Sequence, residues 1–360
     1  MPENNTIDTF FEENAAPRMP GRLLDFHAHL WMADQWLRKA GAEDKNNSAD
    51  LGISPAANYV SAELEYPVHA LMEDGGRCFP GKDYHAVCFG HPTPAVDIGM
   101  TNAYVACSAK GNPRLFPLMV AGGGKIRPPA IEEGLDANGF FGFKVYLDWI
   151  GNDYGSIRVE DMLTDAEIEI ADRRRLVLML HVPRAGRLAD PEIQAGVKWL
   201  SRDCPDASIV LAHCGRCYHP IEINRAIAAV ADLGNVYMDT SFVMEPIVLL
   251  TALKAMGAGR LLFATDLPIA AMLGKRVNIR DHWVDVVAEG YPESQYRVPS
   301  GAFTPMYIAQ EIALAVIIAA DAAGLGDEGS LNNIFFDNGM RLLERVAGGR
   351  PFAEKAGCGR

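Results

Sequence analysis

An H-x-H pair is the strongest local signal for chemistry in this sequence of 360 residues. Its two imidazoles belong to His27 and His29, in the run DFHAH. In an extended strand, residues i and i+2 point to the same side, so both rings can reach one metal ion. Neutral imidazole suits zinc and its neighbours in the first transition series. The pair alone is weak evidence, because H-x-H also occurs by chance.

Further polar side chains stand where short apolar runs end. His181 closes LVLMLH, His213 closes SIVLAH, and Asp266 follows RLLFAT. Lys144 lies near the end of FFGFKVY. Together with the H-x-H pair, five runs therefore deliver a titratable or ligand-type side chain at their C-terminal ends. Histidines scattered through a core would not align in this way, so we predict that these residues form one site.

The runs themselves indicate the fold class. Short, continuous apolar runs are typical of strands buried on both faces, and here they alternate with amphipathic helical stretches. The runs cover residues 22–27, 84–89, 115–120, 140–146, 176–181, 208–213, 235–239 and 260–265. The predicted helices include residues 161–174, 190–202, 221–233 and 246–256. Eight such units predict an α/β protein with a (β/α)₈ TIM barrel, and a doubly wound sheet is the structural competitor.

Two long segments interrupt this alternation. The first runs from Trp31 to about Gly81 after strand one, and the second from Leu267 to about Thr304 after strand eight. Both leave the C-terminal end of a strand, where barrel enzymes build substrate pockets and lids. We predict a single domain over residues 1–360, with the barrel at about 22–346, an N-terminal extension at 1–21 and a loose tail at 348–360.

Composition and charge exclude several classes of protein. A net charge of -13 argues against a nucleic-acid partner, which would require a basic face. The most apolar stretch, residues 312–320, ends at Glu311 and Asp321 and is far shorter than the roughly 20 residues of a membrane span. The acidic N-terminus lacks a signal-peptide pattern, and seven scattered cysteines fit reduced thiols. We therefore predict a cytoplasmic protein without a membrane partner; a homo-oligomer remains open.

The order of these motifs resembles the amidohydrolase superfamily of metal-dependent barrel enzymes. The likeness is closest to the amidohydrolase-2 branch, which includes lactonases, hydratases and non-oxidative decarboxylases. It extends from about Leu23 to Leu343, through LLDFHAHLW, GNPRLFPLMV, GFKVY, LMLHVP, IVLAHCG, AMGAGRLLFATDLP and NNIFFDNGMRLL. The long segments after strands one and eight depart from the family pattern, so the resemblance says least about the substrate pocket.

The resemblance implies a metal site made of His27, His29, His181 and Asp266. Asp266 would also be the general base that takes a proton from a metal-bound water, and His213 would bind a second metal or contact the substrate. A divalent metal lowers the pKa of its water toward 7, and a carboxylate within hydrogen-bond reach can move the proton. We expect zinc, with manganese or another divalent ion as the alternative.

Lys144 leaves the metal count open. In binuclear relatives a lysine at this place is carbamylated and bridges two metals. In amidohydrolase-2 relatives it often lies near a single metal without this modification. We favour one metal, keep two as the alternative, and treat Lys144 as a catalytic candidate. A structural alternative is an ion pair with a carboxylate such as Asp148.

Other residues after the strands are candidates for the substrate pocket. Arg184 and Arg216 each follow a strand-end histidine by three residues and predict an anionic substrate, because guanidinium binds carboxylates bidentately. Ion pairs with local acids are their alternative. Tyr146 is a further substrate-binding candidate. The remaining candidates at strand ends are His91, Trp31, Ser241 and Glu245.

A C-x-x-C pair follows His213 directly. Cys214 and Cys217, with His219 nearby, could form a structural zinc site or a redox pair. A second C-x-x-C partner is absent from the sequence. We therefore interpret these cysteines as residues of the pocket rim.

Two enzymatic functions fit the predicted site. The first is a metal-dependent hydrolase, in which activated water attacks the carbonyl of an ester, lactone or amide in a small, carboxylate-bearing substrate. The alternative is a lyase, a decarboxylase or hydratase of an aromatic or unsaturated acid, because the same ligands support both chemistries. A barrel that only binds a ligand would be expected to have a degraded metal set, and this set is complete.

Overall fold

Each of the predicted apolar runs contains parallel strand in a computed structural model of the chain. The structure describes residues 9–37, 65–91, 93–151, 153, 155–288, 296–298 and 305–348. The barrel strands are β1 Arg22–His29, β2 Asp83–Phe89, β3 Leu115–Pro117, β4 Met119–Ala121, β5 Gly142–Tyr146, β6 Val177–His181, β7 Ser208–Leu211, β8 Val236–Asp239 and β9 Leu261–Leu262.

The strands pair in chain order, as a barrel requires. One sheet has the order β1-β2-β3 and the other the order β4-β5-β6-β7-β8-β9. β3 and β4 belong to one predicted run that is interrupted at Leu118. At the opposite edges, Phe26 N–H donates to Phe263 O and His29 N–H to Leu267 O, both at 2.9 Å. These bonds join the last strand to the first, and the fold is the predicted (β/α)₈ TIM barrel.

Helices alternate with these strands. They are α1 Thr9–Asn14, α2 Val68–Cys78, α3 Ile98–Lys110, α4 Pro128–Asn138, α5 Asp165–Arg173, α6 Pro191–Asp203, α7 Pro220–Ala226, α8 Pro246–Met256, α9 Ile308–Ala323, α10 Glu328–Asn332 and α11 Asn338–Val346. No helix within the described ranges is long and apolar enough to cross a membrane.

Two predicted helix boundaries differ from the structure for local reasons. The helix expected at 161–174 begins only at Asp165, because Thr164 caps it. The Thr164 hydroxyl accepts from Glu167 N–H at 3.3 Å, and the Glu167 carboxylate accepts from Thr164 N–H at 2.8 Å. This reciprocal pair is a capping box. The helix expected at 221–233 stops at Ala226 and continues as a 3₁₀ turn over Ile227–Ala229.

Alternation along the strands separates the barrel interior from the helix-facing layer. On β6, Val177 and Met179 belong to the apolar cluster inside the barrel, whereas Leu178 and Leu180 pack in the larger cluster beneath the helices. His181 continues the inward series at the C-terminal end of the same strand. The period of two therefore places the strand-end side chains inside the mouth of the barrel.

The segment after strand eight contains a sheet of its own, where only a long connection was predicted. β10 Gly274–Ile279 and β11 His282–Ala288 form an antiparallel hairpin, and β12 Tyr296–Val298 pairs with β11 in parallel. The predicted tail beyond residue 348 and residues 38–64 of the first long segment lie outside the described residues.

A buried ion pair stabilises this hairpin. Arg276 Nε and Nη2 contact the two carboxylate oxygens of Asp285 at 2.9 and 3.1 Å. The guanidinium carbon also lies 3.7 Å from the centre of the Trp283 ring and 4.3 Å from that of Tyr218. Because Tyr218 follows β7, these contacts attach the hairpin to the rim of the barrel.

Candidate metal centre

Three of the four predicted metal ligands meet at the carboxyl ends of the first and last strands. His27, His29 and Asp266 are buried and offer ligand atoms that lie within 4.8 Å of one another. Asp266 Oδ1 is 3.2 Å from His29 Nε2 and 3.5 Å from His27 Nε2. Two imidazole nitrogens and one carboxylate oxygen at this spacing are a donor set that a divalent transition metal accepts.

Hydrogen bonds orient the two histidine rings so that Nε2 of each faces Asp266. His27 Nδ1–H donates to Asp239 Oδ2 at 3.0 Å, and His29 Nδ1–H donates to Gly90 O at 3.2 Å. A carboxylate can only accept, so the neutral His27 ring carries its proton on Nδ1 and its lone pair on Nε2. His29 Nε2 is also within hydrogen-bond distance of the Asp266 carboxylate, at 3.2 Å, so both nitrogens of that ring face acceptors. In both rings Nε2 is the nitrogen that approaches Asp266, and a bound metal would take the Nε2 lone pair while the Nδ1–H keeps its acceptor, which is the usual arrangement of metal-binding histidines.

Burial and local charge give these groups the protonation states that a metal needs. Burial lowers the pKa of His27 to about 3, and the Lys144 charge adds to the shift. Burial alone would raise the pKa of the carboxylates. Interactions with His27 outweigh it and lower the pKa of Asp239 to about 2, and interactions with His27 and His29 likewise lower that of Asp266. At neutral pH the His27 imidazole is neutral and the two carboxylates are ionised.

Asp239 was missed by the sequence reasoning, although it ends β8 as His181 ends β6. Its carboxylate accepts the His27 Nδ1–H, the backbone N–H of His213 at 2.7 Å and that of Ser241 at 3.1 Å. It thus holds a ligand ring and the loops after β7 and β8 in one network. The available signal was its position as the last residue of the run NVYMD.

His213 stands beside this network on a strained turn. Its Nδ1–H donates to Ser241 O at 2.9 Å, which leaves the Nε2 lone pair free. The four residues from His213 to Arg216 have positive φ angles of 56°, 51°, 69° and 61°. Non-glycine residues rarely adopt this conformation, and it persists only where surrounding contacts impose it. His213 also forms a second compact group with His27 and Asp239. Its Nδ1 edge is already hydrogen-bonded, so we interpret that group as support for the first.

His181, the fourth predicted ligand, lies outside the compact group. Its ring stacks on Tyr146 at 4.5 Å between centroids and meets the His213 ring edge-on at 5.2 Å. Burial, then the charge of Arg216, lower its pKa well below the usual value. Its Nδ1 is buried and has no hydrogen-bond partner among the residues that the structure describes. A bound metal or substrate is the kind of partner that would satisfy such an atom.

Lys144 points into the same group and not toward Asp148. Its Nζ is 3.1 Å from His27 Nε2 and 3.5 Å from Met179 Sδ, and it lies 4.7 Å above the Phe89 ring. Burial lowers the pKa of Lys144 to about 8, although nearby carboxylates oppose the shift. The ammonium thus donates to the lone pair that a metal ligand would use.

The two candidate arginines have different surroundings. Arg216 is buried, donates from Nη1 to Val182 O at 2.9 Å, and lowers the pKa of His181. Arg184 instead donates from Nε to Ile157 O at 3.0 Å and lies 3.7 Å from Asp190. The structure therefore brings Arg216 and Tyr146 to the predicted site and ties Arg184 to a local loop.

The cysteines that follow His213 are buried free thiols. Burial raises the pKa of Cys214 well above its usual value and that of Cys217 similarly, so neither is a ready thiolate. Cys214 donates to Asp239 O at 3.4 Å. Among the described residues neither cysteine belongs to a group that could hold a metal.

A family model agrees with this fold and site. The amidohydrolase family (Amidohydro_2) matches residues 24–276, well over half of the chain. The protein therefore belongs to the amidohydrolase family of enzymes, and the predicted resemblance to the amidohydrolase-2 branch is confirmed. The match stops within β10, so most of the hairpin lies beyond it.

Solved structures with the same fold include enzymes of different reaction types. A zinc-bound amidohydrolase from Burkholderia multivorans is 15% identical, with 89% of this chain and 98% of that chain covered and a TM-score of 0.56. The 4-oxalomesaconate hydratase from Rhodopseudomonas palustris is 16% identical over 91% and 97%, with a TM-score of 0.56. A 2,6-dihydroxybenzoate decarboxylase from Rhizobium is 13% identical over 91% and 99%, with a TM-score of 0.53. At these identities the likeness shows the fold alone. The comparison with curated proteins gives no significant match.

Proposed function

We propose that the protein is a metal-dependent hydrolase that cleaves an ester, lactone or amide in a small substrate bearing a carboxylate. The observation that carries the proposal is the group formed by His27 Nε2, His29 Nε2 and Asp266 Oδ1, with the Nδ1 of each ring hydrogen-bonded to an acceptor outside the group. We propose one metal, zinc, with His181 completing the ligand set. When bound, a divalent cation lowers the pKa of a coordinated water toward 7 and polarises a carbonyl group.

The side chains around this group have separate roles in the proposal. Asp266, ionised at neutral pH, takes the proton of the attacking water. Lys144 contacts the carbonyl oxygen of the substrate as its negative charge develops. His213 contacts the substrate through its Nε2 lone pair, which accepts a hydrogen bond from a donor group of the substrate. Tyr146 forms the wall opposite His181. Arg216 binds the substrate carboxylate.

We assign the carboxylate to Arg216 and not to Arg184, because only Arg216 approaches the predicted ligands. Arg216 donates from one guanidinium nitrogen to the backbone carbonyl of Val182, and within the described residues it has no hydrogen bond to a carboxylate. Arg184 already contacts two backbone carbonyls and lies near Asp190.

A lyase reaction on the same site is the second candidate. A hydratase and a decarboxylase are among the solved structures that share the fold. An aromatic or unsaturated acid would use the same arginine for its carboxylate, and the metal group would orient the substrate or water. The donor set supports both reactions, so the substrate decides between them.

The proposal extends to the whole chain. We propose that residues 1–360 form one domain that acts in the cytoplasm on a small molecule, without nucleic acid or membrane as partner. The net charge of -13 supports the absence of a nucleic-acid partner. A homo-oligomer is compatible with the proposal and is not required by it.

Metal analysis of protein purified without chelators tests the proposal first. We expect one divalent transition metal per chain, and no stoichiometric metal would overturn the metal-dependent enzyme. A panel of lactones, esters and amides, assayed beside aromatic and unsaturated acids, then distinguishes the two reactions. Acid release without loss of carbon supports the hydrolase, whereas release of carbon dioxide or addition of water to a double bond supports the lyase.

A further inference from the structure

His91 is a buried histidine at the mouth of the barrel to which the proposed mechanism gives no role. It lies two residues after β2, whose last residue, Phe89, packs edge-on against the His29 ring at 4.7 Å. Only 6% of His91 is exposed. Its ring meets the Trp31 ring edge-on at 4.7 Å and the Trp36 ring at 5.1 Å. It therefore stands in an aromatic enclosure next to a predicted metal ligand.

One hydrogen bond determines the tautomer of His91. The backbone N–H of Thr93 donates to His91 Nδ1 at 3.3 Å, so the Nδ1 lone pair is in use. Burial, with a smaller contribution from His29, lowers the pKa of His91 to about 3, and the ring is neutral. A neutral imidazole with its lone pair on Nδ1 carries its proton on Nε2.

Within the described ranges of the chain, the Nε2–H of His91 has no acceptor. The atom is fully buried and has no hydrogen-bond partner among the residues described. A buried donor without an acceptor is costly and rare in folded proteins. Such an atom beside a functional site is most simply explained by an acceptor that arrives with the ligand.

His29 and His91 therefore present opposite chemistry to the same mouth. His29 donates from Nδ1 to Gly90 O and turns its Nε2 toward Asp266, where it would offer a lone pair to a metal. His91 accepts from Thr93 N–H and offers a proton. A proton donor in a water-excluded enclosure recognises a substrate oxygen and not a metal.

We propose that His91 is a substrate-binding residue whose Nε2–H donates to a carboxylate oxygen of the substrate, in a subsite enclosed by Trp31 and Trp36. This inference rests on the proposed function, because it assumes a carboxylate-bearing substrate. It adds a second contact between the protein and that substrate, located after the C-terminal end of β2 and separate from Arg216.

The tautomer can be read directly by NMR on the full-length chain labelled with ¹⁵N-histidine. The His91 signals are assigned by their loss in His91→Asn. At neutral pH we expect a neutral ring protonated on Nε2, and we expect acetate, benzoate or oxalate to shift the Nε2 signal in the zinc-loaded protein. A ring protonated on Nδ1, or an Nε2 signal that none of the three carboxylates moves, would overturn the proposal.

Two substitutions at His91 separate its donor from its acceptor. Asparagine keeps an acceptor near Nδ1 but loses the distant N–H, whereas glutamine can place an amide N–H near the Nε2 position. For the carboxylate that shifts the signal, we expect His91→Asn to weaken binding about 10- to 100-fold in calorimetry, and His91→Gln to recover part of the loss. His85→Asn, at the other end of β2, is the matched control and should bind as wild type. Equal affinity of His91→Asn and wild type would contradict the subsite.

Failure of the subsite and failure of the proposed function give different results. Metal content of each variant is measured in parallel, and unchanged zinc shows that the fold and metal group remain. Repeating the titration on metal-free protein tests the subsite even if zinc does not bind. Hydrolysis with an unchanged KM in His91→Asn rejects the subsite alone, whereas a carboxylate contact at His91 without any hydrolysis rejects the hydrolase alone.

Discussion

Two groups of residues at the mouth of the barrel, named the saturated side and the open side, differ in how completely their polar atoms are satisfied. The saturated side, made of His27, His213, Asp239 and Ser241, is closed by hydrogen bonds among its own members. The open side, made of His91, His181 and Arg216, contains two buried ring nitrogens without a partner in the described structure.

This difference separates positioning from recognition. On the saturated side each ring has one orientation and one tautomer, which a metal group requires before the metal arrives. On the open side, buried atoms without partners lower the stability of the free protein, and a ligand that supplies those partners raises it again. We therefore expect substitutions on the saturated side to alter metal binding or chemistry, and those on the open side to alter substrate binding or stability.

The largest effect is expected at Asp266, which belongs to the metal group and is also the proposed general base. Asp266→Asn replaces the proposed general base by an amide that cannot take a proton, so we expect kcat to fall about 10²- to 10⁴-fold. Most of the metal should remain, because an amide oxygen can still contact it. Steady-state kinetics and metal analysis check both parts. Near-normal turnover in Asp266→Asn would reject this base, and Asp136→Asn, an exposed carboxylate, is the control.

The pH dependence of the unfolding free energy tests Asp148, a carboxylate whose pKa is influenced by Arg216 of the open side. Burial raises the pKa of its carboxyl group to about 7, against the opposing charge of Arg216. Its stabilising contribution is therefore complete below the unfolded pKa, near 3.9, and is lost as pH rises through about 7. Asp148→Asn stays neutral, so we expect it to match wild type near pH 4 and to exceed its unfolding free energy by about 2–4 kcal/mol at pH 8.

Denaturant unfolding across this pH range provides the measurement for Asp148→Asn. Asp136→Asn is the control, because the hydrogen bond from Arg174 lowers the pKa of Asp136, so its difference from wild type should stay constant between pH 4 and pH 8. A constant difference between Asp148→Asn and wild type from pH 4 to pH 8 would show that Asp148 is ionised throughout.

Asp239 tests whether the saturated side preorganises the metal group. Asp239→Asn replaces a carboxylate that accepts three N–H groups by an amide with one acceptor, so the His27 ring loses its fixed orientation. We expect metal affinity to fall about 10- to 100-fold, measured by competition with a chelator. Asp25→Asn is the matched control, since Asp25 is equally buried but contacts His27 only through its backbone N–H, at 3.0 Å. Equal losses in the two variants would assign the effect to general destabilisation.

Strand-end positions on both sides could be predicted from the sequence, whereas the role of Asp239 and the tautomer of His91 could not, for a physical reason. Strands buried on both faces leave continuous apolar runs, so their ends, and with them His27 and Asp266, can be located from sequence. Asp239 was overlooked because its role depends on a ring that lies 212 residues away in the chain. The tautomer of His91 depends on the placement of one backbone N–H, which no residue pattern encodes.

The hairpin after strand eight was missed for a related reason. Its strand GKRVNI carries a lysine, an arginine and an asparagine, and its polar Arg276 is buried only because Asp285 and the ring of Trp283 surround it. Burial of such a residue is decided by partners from another strand. Hydrophobic periodicity therefore gives no signal for it.

The smallest effect is expected for Arg216 and Arg184, the two arginines that had the same role in the sequence-based prediction. Arg216→Lys keeps the charge but loses the planar fork that binds a carboxylate bidentately, so we expect KM for the substrate found in the panel to rise about 10-fold with little change in kcat. Arg184→Lys is the matched variant and should leave KM unchanged, because Arg184 already contacts Ile157 O and lies near Asp190. Steady-state kinetics of both variants checks this pair. A rise in KM for Arg184→Lys alone would place the carboxylate site in the loop beside α6. The unsatisfied atoms of the open side would then need an explanation other than substrate recognition.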